Sequence, residues 1–424
     1  MTRVIHTGDT HVGYRQYHSP ERRQDFLDAF EAVIDDAIGS AADGDDASSA
    51  GGRTPSLDAV VHAGDLFHDR RPDLPDLLGV LSALRRLAAA DVPFLAVVGN
   101  HEATRGSQWL DLFSDLGLAT RLGDEPTVVG DTAFYGLDHV PRSRRDALDY
   151  DFAPHDADAA ALVAHGLFTP FAHADWDTET VLAEATVDFD AMLLGDNHVP
   201  DRAQVDGTWV TYCGSTERAS ADERDARGYN LVEFGRDVGG DETVDVRRRS
   251  LDTRPFVFVD VELAAGEGVD RVREQVRQHD LADAVTVVSI TGEGDPVTPA
   301  GIEEAAIEEG TLLARVTDHR AVGGDASAPD AEVEFGDPDA AVRERVREMD
   351  LSTTGRRLDE TVRDEGLADA NVRDRVASLV ADAVDDGALD ADTADDADAD
   401  PTATADPENG TADPDDQVSM EDFL

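Results

Sequence analysis

The sequence contains no lysine. All 36 of its basic residues are arginine, set against 92 acidic ones for a net charge of −56. Aromatics are sparse at 6%, yet the apolar share is an ordinary 41%, a composition that resembles proteins of salt-accumulating halophiles rather than an acidic effector. A single cysteine, Cys213, excludes an internal disulfide and suits a reducing interior. There is no charged-then-apolar leader and no long uncharged apolar run, so neither secretion nor a membrane span is expected and a cytoplasmic, high-salt setting is. The acidity does not exclude a polyanionic substrate. At about 1 M salt the Debye length is only about 3 Å, which leaves local arginines and bound metals to decide binding.

At 424 residues the chain is too long for one core, and two or three domains with flexible parts are expected. Wholesale disorder is excluded by strong strand and helix patterns. Val4-Ile5-His6-Thr7 reads as a buried strand that breaks at Gly8 and delivers Asp9 and His11, two residues apart on extended backbone, to one side. Ser19-Pro20-Glu21 starts a helix whose Phe26, Phe30, Val33 and Ile34 recur at helical spacing. Residues 40–55 are small, acidic and glycine-rich, a surface insertion. A second buried strand, 57–63, ends in Gly64-Asp65-Leu66-Phe67-His68. A helix with Leu77, Leu81, Leu84 and Leu87 as its inner stripe follows, and a third strand, 94–98, ends in Gly99-Asn100-His101-Glu102. Two later strands repeat the device: 160–164 leads to His165-Gly166 and 191–194 to Gly195-Asp196-Asn197-His198. Strand-helix alternation of this kind predicts a largely parallel layered sheet with its site beyond the carboxyl ends of the strands.

Asp9, His11, Asp65, Asn100, His165, Asp196 and His198 thus supply seven oxygen or nitrogen ligands from five strand ends. That number suits two metals sharing one carboxylate, with Asp65 as the natural bridge because it sits alone on its strand end. Two metals about 3.5–4 Å apart can activate water and neutralise phosphoryl oxygens during in-line attack. His101, directly after a ligand candidate, would face the phosphate and protonate or stabilise the leaving oxygen. Any one such residue could be a turn or cap; five in order, each after a buried strand, point to a metal centre.

These stretches resemble the calcineurin-like metallophosphoesterase superfamily. The extension Gly13-Tyr14-Arg15-Gln16-Tyr17, the Gly64-to-His68 turn and Gly214-Ser215-Thr216-Glu217-Arg218 further resemble its DNA double-strand-break repair nucleases, the SbcD-like subunits that pair with a coiled-coil ATPase. The resemblance spans about residues 1–234. It implies an α/β fold: a layered α/β-β-α nuclease domain over 1–250, a small α+β DNA-capping domain over 251–325, helices over 326–386 that dock the ATPase, and a disordered acidic tail. It also implies two Mn2+ per chain, one held by Asp9, His11, Asp65 and His198, the other by Asp65, Asn100, His165 and Asp196. His101 and His68 would act on the scissile phosphate, and a homodimer would form through helices of the first domain. One departure stands out: the family has Gly-His-x-His where this chain has Asp196, whose added negative charge should weaken the Lewis acidity of the metal.

DNA as substrate is favoured by Tyr14, Arg15 and Tyr17, which could stack on or clamp a strand end, and by Arg142, Arg144, Arg145, Arg247, Arg248 and Arg249, which could meet phosphates. Those arginines could equally pair with the carboxylates around them. Residues 387–416 collapse to Asp, Ala, Thr and Pro and should form a disordered linker. The terminal 417–424 regain the anchors Gln417, Met420, Phe423 and Leu424, which resemble a sliding-clamp-binding peptide. The expectation is a Mn-dependent exonuclease or endonuclease that processes broken DNA ends. The rivals are a stand-alone phosphodiesterase for small substrates, and an end-bridging scaffold in which Asp196 weakens catalysis.

Overall fold

The computed structural model describes residues 1–43, 57–104, 106–145, 147–236 and 242–320, with 361, 375–376 and 378–380. The insertion expected over 40–55 lies outside them except for 40–43, where the first helix continues. The docking helices over 326–386 lie outside apart from the few residues named, as do the linker and Gln417–Leu424.

Strands β1 (Thr2–Thr7), β2 (Ala59–His62), β3 (Phe94–Ala96) and β4 (Thr120–Arg121) pair in parallel in one sheet. The chain then builds a second sheet from β5 (Thr127–Val129), β6 (Thr132–Leu137), β7 (Ala159–His165), β8 (Ala191–Gly195), β9 (Asp201–Val205) and β10 (Thr208–Tyr212). It returns to the first sheet with β11 (Gly228–Arg236) and β12 (Glu242–Ser250), giving the orders β12-β11-β1-β2-β3-β4 and β5-β6-β7-β8-β10-β9. The central pairs are parallel, as expected, but β5, β9, β11 and β12 pair antiparallel. One largely parallel sheet is therefore two mixed sheets face to face.

Each face of each sheet is covered, which explains why the central strands read as unbroken apolar runs. Alternation sends Val4, Val61 and Leu95 inward, where they pack on Phe134, Val163 and Leu193 of the second sheet. Ile5, Val60 and Phe94 face the other way. They meet Phe30, Val33 and Ile34 of α1 (Pro20–Asp43), Val80, Leu84 and Leu87 of α2 (Leu74–Ala89) and Phe113 of α3 (Trp109–Asp115). The N-terminus of α1 is capped by Ser19, whose Oγ accepts the Arg22 N–H at 3.2 Å. Beyond the second sheet, after the short α4 (Arg142–Arg145), Phe152, Phe168 and Trp176 and Val181 of α5 (Thr178–Glu184) close the outer layer. Each fully buried Val, Leu or Phe contributes about 1.5–3 kcal/mol.

A second unit follows: β13 (Phe256–Leu263), α6 (Val269–Val276), β14 (Val285–Gly292), α7 (Pro299–Glu308) and β15 (Leu313–Asp318), its three strands all parallel. Its core is Val259, Val261, Val272, Val288, Ile290 and Ile302. The regular strand-helix alternation emerges only with α7, which the sequence pattern hid because Ile302 and Ala306 are its only buried positions. The unit is fastened to the first by Arg254, which donates to both oxygens of Asp25 (2.6 and 2.8 Å), and by Arg224, which grips both oxygens of Asp260 (2.8 and 2.7 Å). Phe256 lies beneath the guanidinium groups of Arg22 and Arg218.

Candidate metal centre

The loops after β1 and β2 run side by side. Asp9 N donates to Gly64 O, His11 N to Asp65 O and Val12 N to Leu66 O, all at 3.0 Å. The backbone here is not extended, as the sequence suggested. Asp9 (φ 49°), His11 (φ 42°), Asp65 (φ 57°) and Asp196 (φ 90°) all lie in the left-handed region, which costs an ordinary residue free energy and persists where surrounding contacts over-determine it. Four of the seven expected ligands are therefore aimed by unusual backbone. Glycine is required between them: a Cβ on Gly99 would stand 2.0 Å from Asp65 Oδ1 and 2.3 Å from Asp65 N, so the loop after β3 can approach Asp65 only without a side chain.

All seven residues come to the same end of the two sheets, at the carboxyl ends of β1, β2, β3, β7 and β8. Ligand atoms of Asp9, His11 and His198 lie within 4.8 Å of one another, as do those of Asp9, Asp65 and His165. His11 Nε2 faces His198 Nε2 at 3.0 Å, and His165 Nε2 faces Asn100 Oδ1 at 2.8 Å. Asp65 Oδ2 stands 3.8 Å from His11 Nε2 and 3.4 Å from His165 Nε2. Two carboxylates, Asp9 as well as Asp65, therefore lie between the two groups. Asp196 is more peripheral: its Oδ1 is 3.9 Å from His165 Nε2, and its N–H donates to both oxygens of Asp9 (3.0 and 3.2 Å).

The second ring nitrogens fix the tautomers. His165 Nδ1 donates to Ala63 O at 2.8 Å and His198 Nδ1 to Glu223 Oε1 at 2.9 Å, so that each ring, once its second proton is displaced, directs an Nε2 lone pair inward. Asp65 Oδ2 is buried and meets no hydrogen-bond donor in good geometry among the described residues. Lone pairs of three imidazoles, a carboxamide and three carboxylates converging in a buried space are unfavourable unless a cation stands among them. The donor set fits two such ions.

Electrostatics agree. Burial raises the Asp9 carboxyl to about 6, with Asp65 and Asp196 adding repulsion against the pull of His198 and His165. Burial would lower the His198 imidazole, but the Glu223 hydrogen bond and the charges of Asp9 and Asp65 outweigh it and raise the group to about 8. Burial opposes charge on His165 too, yet its carboxylate neighbours, Asp65 first, hold it well above its ordinary value. A cluster that holds a proton so firmly is built for positive charge. His11, buried beside His101 and His198, is held neutral, well below its ordinary value.

His101 donates through Nδ1 to His68 O at 2.8 Å, and its ring lies 4.7 Å from that of His11. His68 lies 4.9 Å from His101 and stacks on Tyr14 at 4.1 Å. Both expected phosphate-facing imidazoles thus border the ligand cluster.

Several of the residues expected to touch DNA also pair within the chain, while Arg142 and Arg144 are exposed. Arg15 pairs with Asp73 at 3.1 Å, Arg145 with Asp175 at 2.6 Å, and Arg247 with Asp245 at 2.5 Å and Glu233 at 3.8 Å. Arg248 donates to Cys213 O. Tyr17 lies under Arg315 of the second unit. Sequence reasoning missed Glu223, which sits in an acidic irregular stretch with no distinguishing pattern. It also assigned no role to Glu102, whose two oxygens accept Phe67 N at 3.0 Å and Gly99 N at 3.2 Å and tie the second loop to the third.

A family model described as calcineurin-like phosphoesterase matches residues 2–200. The chain is 67% identical over 386 residues to the DNA double-strand break repair protein Mre11 of Haloferax volcanii, an alignment covering 90% of this chain and 83% of that one. It is 59% identical over 396 residues to the protein of the same name from Halobacterium salinarum, covering 93% and 97% of the two chains. With the Methanosarcina acetivorans protein of that name it shares 40% identity over 386 residues, 88% of this chain and 59% of the other.

Proposed function

This chain belongs to the Mre11 family, with a calcineurin-like phosphoesterase domain, and on that premise we propose that it is a Mn-dependent nuclease. Its substrate would be the broken end of a DNA duplex, and it would work in complex with a coiled-coil ATPase. The observation that carries this reading is the inward convergence of lone pairs from His11, Asn100, His165, His198 and the carboxylates of Asp9, Asp65 and Asp196. Asp9, His11, Asp65 and His198 would hold one Mn2+ and Asp65, Asn100, His165 and Asp196 the other. Bound there, the pair would supply Lewis-acid activation of the phosphodiester and of the attacking water. Mixed carboxylate and imidazole donors admit Mn2+, and three carboxylates offset much of the charge of two dications.

His101 is the residue for the leaving oxygen. Its Nδ1–H is committed to His68 O, which directs Nε2 towards the cluster, and the Tyr14 stack holds His68 in place. We assign residues 1–250 to the nuclease domain, 251–325 to DNA capping, 326–386 to docking of the ATPase, 387–416 to a tether and 417–424 to a peptide for the sliding clamp. Deleting 417–424 should abolish clamp capture and spare cleavage. Leu74 and Leu78 on α2, Leu112 on α3 and Leu116 just after it are exposed, which supports a homodimer through these helices. No helix among the described residues is long and apolar enough to cross a membrane, consistent with work at the nucleoid in the cytoplasm.

The test is metal content and cleavage of a linear duplex in molar salt, with Mn2+ and with or without the ATPase. Wild type should bind two Mn2+ and shorten the duplex. Asp65→Asn should cut the rate about a thousandfold, since Lewis-acid stabilisation amounts to several kcal/mol. Equal end-binding with no Mn-dependent cleavage by wild type would favour the scaffold reading, which the peripheral Asp196 supports. Cleavage of small phosphodiesters but not of duplex ends would favour the stand-alone enzyme.

A further inference from the structure

Glu223 lies 25 residues beyond His198, in the loop between β10 and β11, and is buried. Its Oε1 accepts His198 Nδ1 at 2.9 Å. Its Oε2 accepts Ala219 N at 2.9 Å and Arg227 at 3.2 Å. Arg227, also buried, donates to His198 O at 3.0 Å and to Ser215 Oγ at 3.2 Å. Arg218 donates to Glu223 O at 2.9 Å while its guanidinium covers Phe256 of the second unit. One Glu-Arg unit therefore grips His198 at both its ring and its backbone carbonyl, and the loop carrying it is anchored on its far side.

We propose that Glu223 is a positioning residue for the metal centre, holding His198 in the Nδ1–H tautomer and in the ring orientation that offers Nε2 to a cation. The inference rests on the metal-binding reading above. Burying a carboxylate is costly unless each oxygen is satisfied, and here both are, with one of the three interactions, and all of Oε1, spent on a ligand imidazole. A carboxylate behind an imidazole also raises its donor strength, and His198 is the sole imidazole of its turn. A loop staple alone would need Arg227 and Ala219 but not His198.

Glu223→Gln tests this. The amide matches in shape, but it can accept on one side only and presents N–H groups to His198, Ala219 or Arg227 on the other. Calorimetric titration of the full metal-free chain with Mn2+ in molar salt should show one of two sites weakened about 10–100-fold, the range for loss of a partner behind a ligand. Glu223→Asp, which keeps the charge, should recover part of the loss. In the metal-free protein, at a pH well above the value of about 8 to which His198 is raised, 15N spectra should show His198 as a single Nδ1–H tautomer in wild type and as a mixture in Glu223→Gln. Unchanged Mn2+ affinity at both sites in Glu223→Gln, with only a lower melting temperature, would overturn the proposal and leave a loop staple. A wild-type chain that binds no Mn2+ would overturn the proposed function itself, and this inference with it.

Discussion

The two units of this chain both alternate strand and helix around parallel strands, yet among the described residues only the first gathers candidate metal ligands. In the first, two sheets face each other and the carboxyl ends of β1, β2, β3, β7 and β8 open on the same side, so polar residues from opposite sheets meet. In the second, a lone three-stranded sheet has no opposing set. Polar residues after β15 satisfy themselves locally: Arg320 grips both oxygens of Asp318 (2.8 and 2.7 Å). Convergence from two layers, more than strand-end polarity, makes the site. It also requires backbone that ordinary residues avoid, at Asp9, His11, Asp65 and Asp196, whereas among the described residues of the second unit Asp283, before β14, is the one non-glycine residue so placed.

The sharpest way to break the contrast is to spoil the approach of two loops. Gly99→Ala would drive a methyl group against both the side chain and the backbone of Asp65. Overpacking of this kind costs about 1–3 kcal/mol, and more where backbone is struck. The expected result is loss of Mn2+ affinity of about a hundredfold or more with an unchanged far-UV spectrum. Gly301→Ala, in α7 of the second unit, where a Cβ would come no nearer than 3.9 Å to the end of the Arg273 side chain, should leave metal binding as it is. Equal metal binding by Gly99→Ala would mean that Asp65 has room to move, and that the left-handed loops do not fix the site.

Electrostatics offer the next test. Burial, with Asp65 beside it, raises Glu102 from its ordinary 4.5 to about 7. A carboxyl whose folded value is raised binds a proton that the unfolded chain has released. Its contribution is therefore fully present below about 4.5 and lost as pH rises towards about 7. Metal-free protein should lose stability across that window by about 3 kcal/mol, an order-of-magnitude figure that follows from the shift. Chemical denaturation at fixed salt would measure the slope, and Glu102→Gln should flatten it. A slope that survives Glu102→Gln would assign it to Asp9 or Asp196, whose carboxyls burial also raises.

The seven candidate ligand positions could be picked out because six stand within three residues after a glycine that ends an apolar run and His165 stands just before one, a pattern local enough to be read in one pass. What lay beyond it was non-local. The edge strands β4, β5, β9 and β12 are short or half-exposed and carry little periodicity, so two sheets looked like one. Arg247, Arg248 and Arg249, read as residues that could meet phosphates, lie on the edge strand β12, which the pattern did not reveal. Extended backbone was the natural assumption for Asp9 and His11, since no rule of spacing signals a left-handed turn at a non-glycine residue. Arg15 and Arg247 looked available for phosphate, and only the fold reveals Asp73, Asp245 and Glu233 beside them. Glu223 could not be read at all: its partner is 25 residues away and its neighbours are equally acidic.

The smallest effect separates the two units energetically. Arg254 is largely buried against Asp25, and Asp25 keeps a second partner in Arg22 at 2.6 Å, so removing Arg254 does not strand a buried charge. Arg254→Ala should therefore cost only about 1 kcal/mol, near the upper end for an ion pair with some solvent access. In a small unit such a change lowers the melting temperature by about 4–8 °C. Calorimetry should show that shift in the transition of the second unit alone, while Mn2+ titration stays at its wild-type affinity, because Arg254 touches neither a ligand nor Glu223. Should the Mn2+ affinity fall together with the transition, the second unit would have to brace the loop that holds Glu223 and His198, and the metal centre would depend on both regions rather than one.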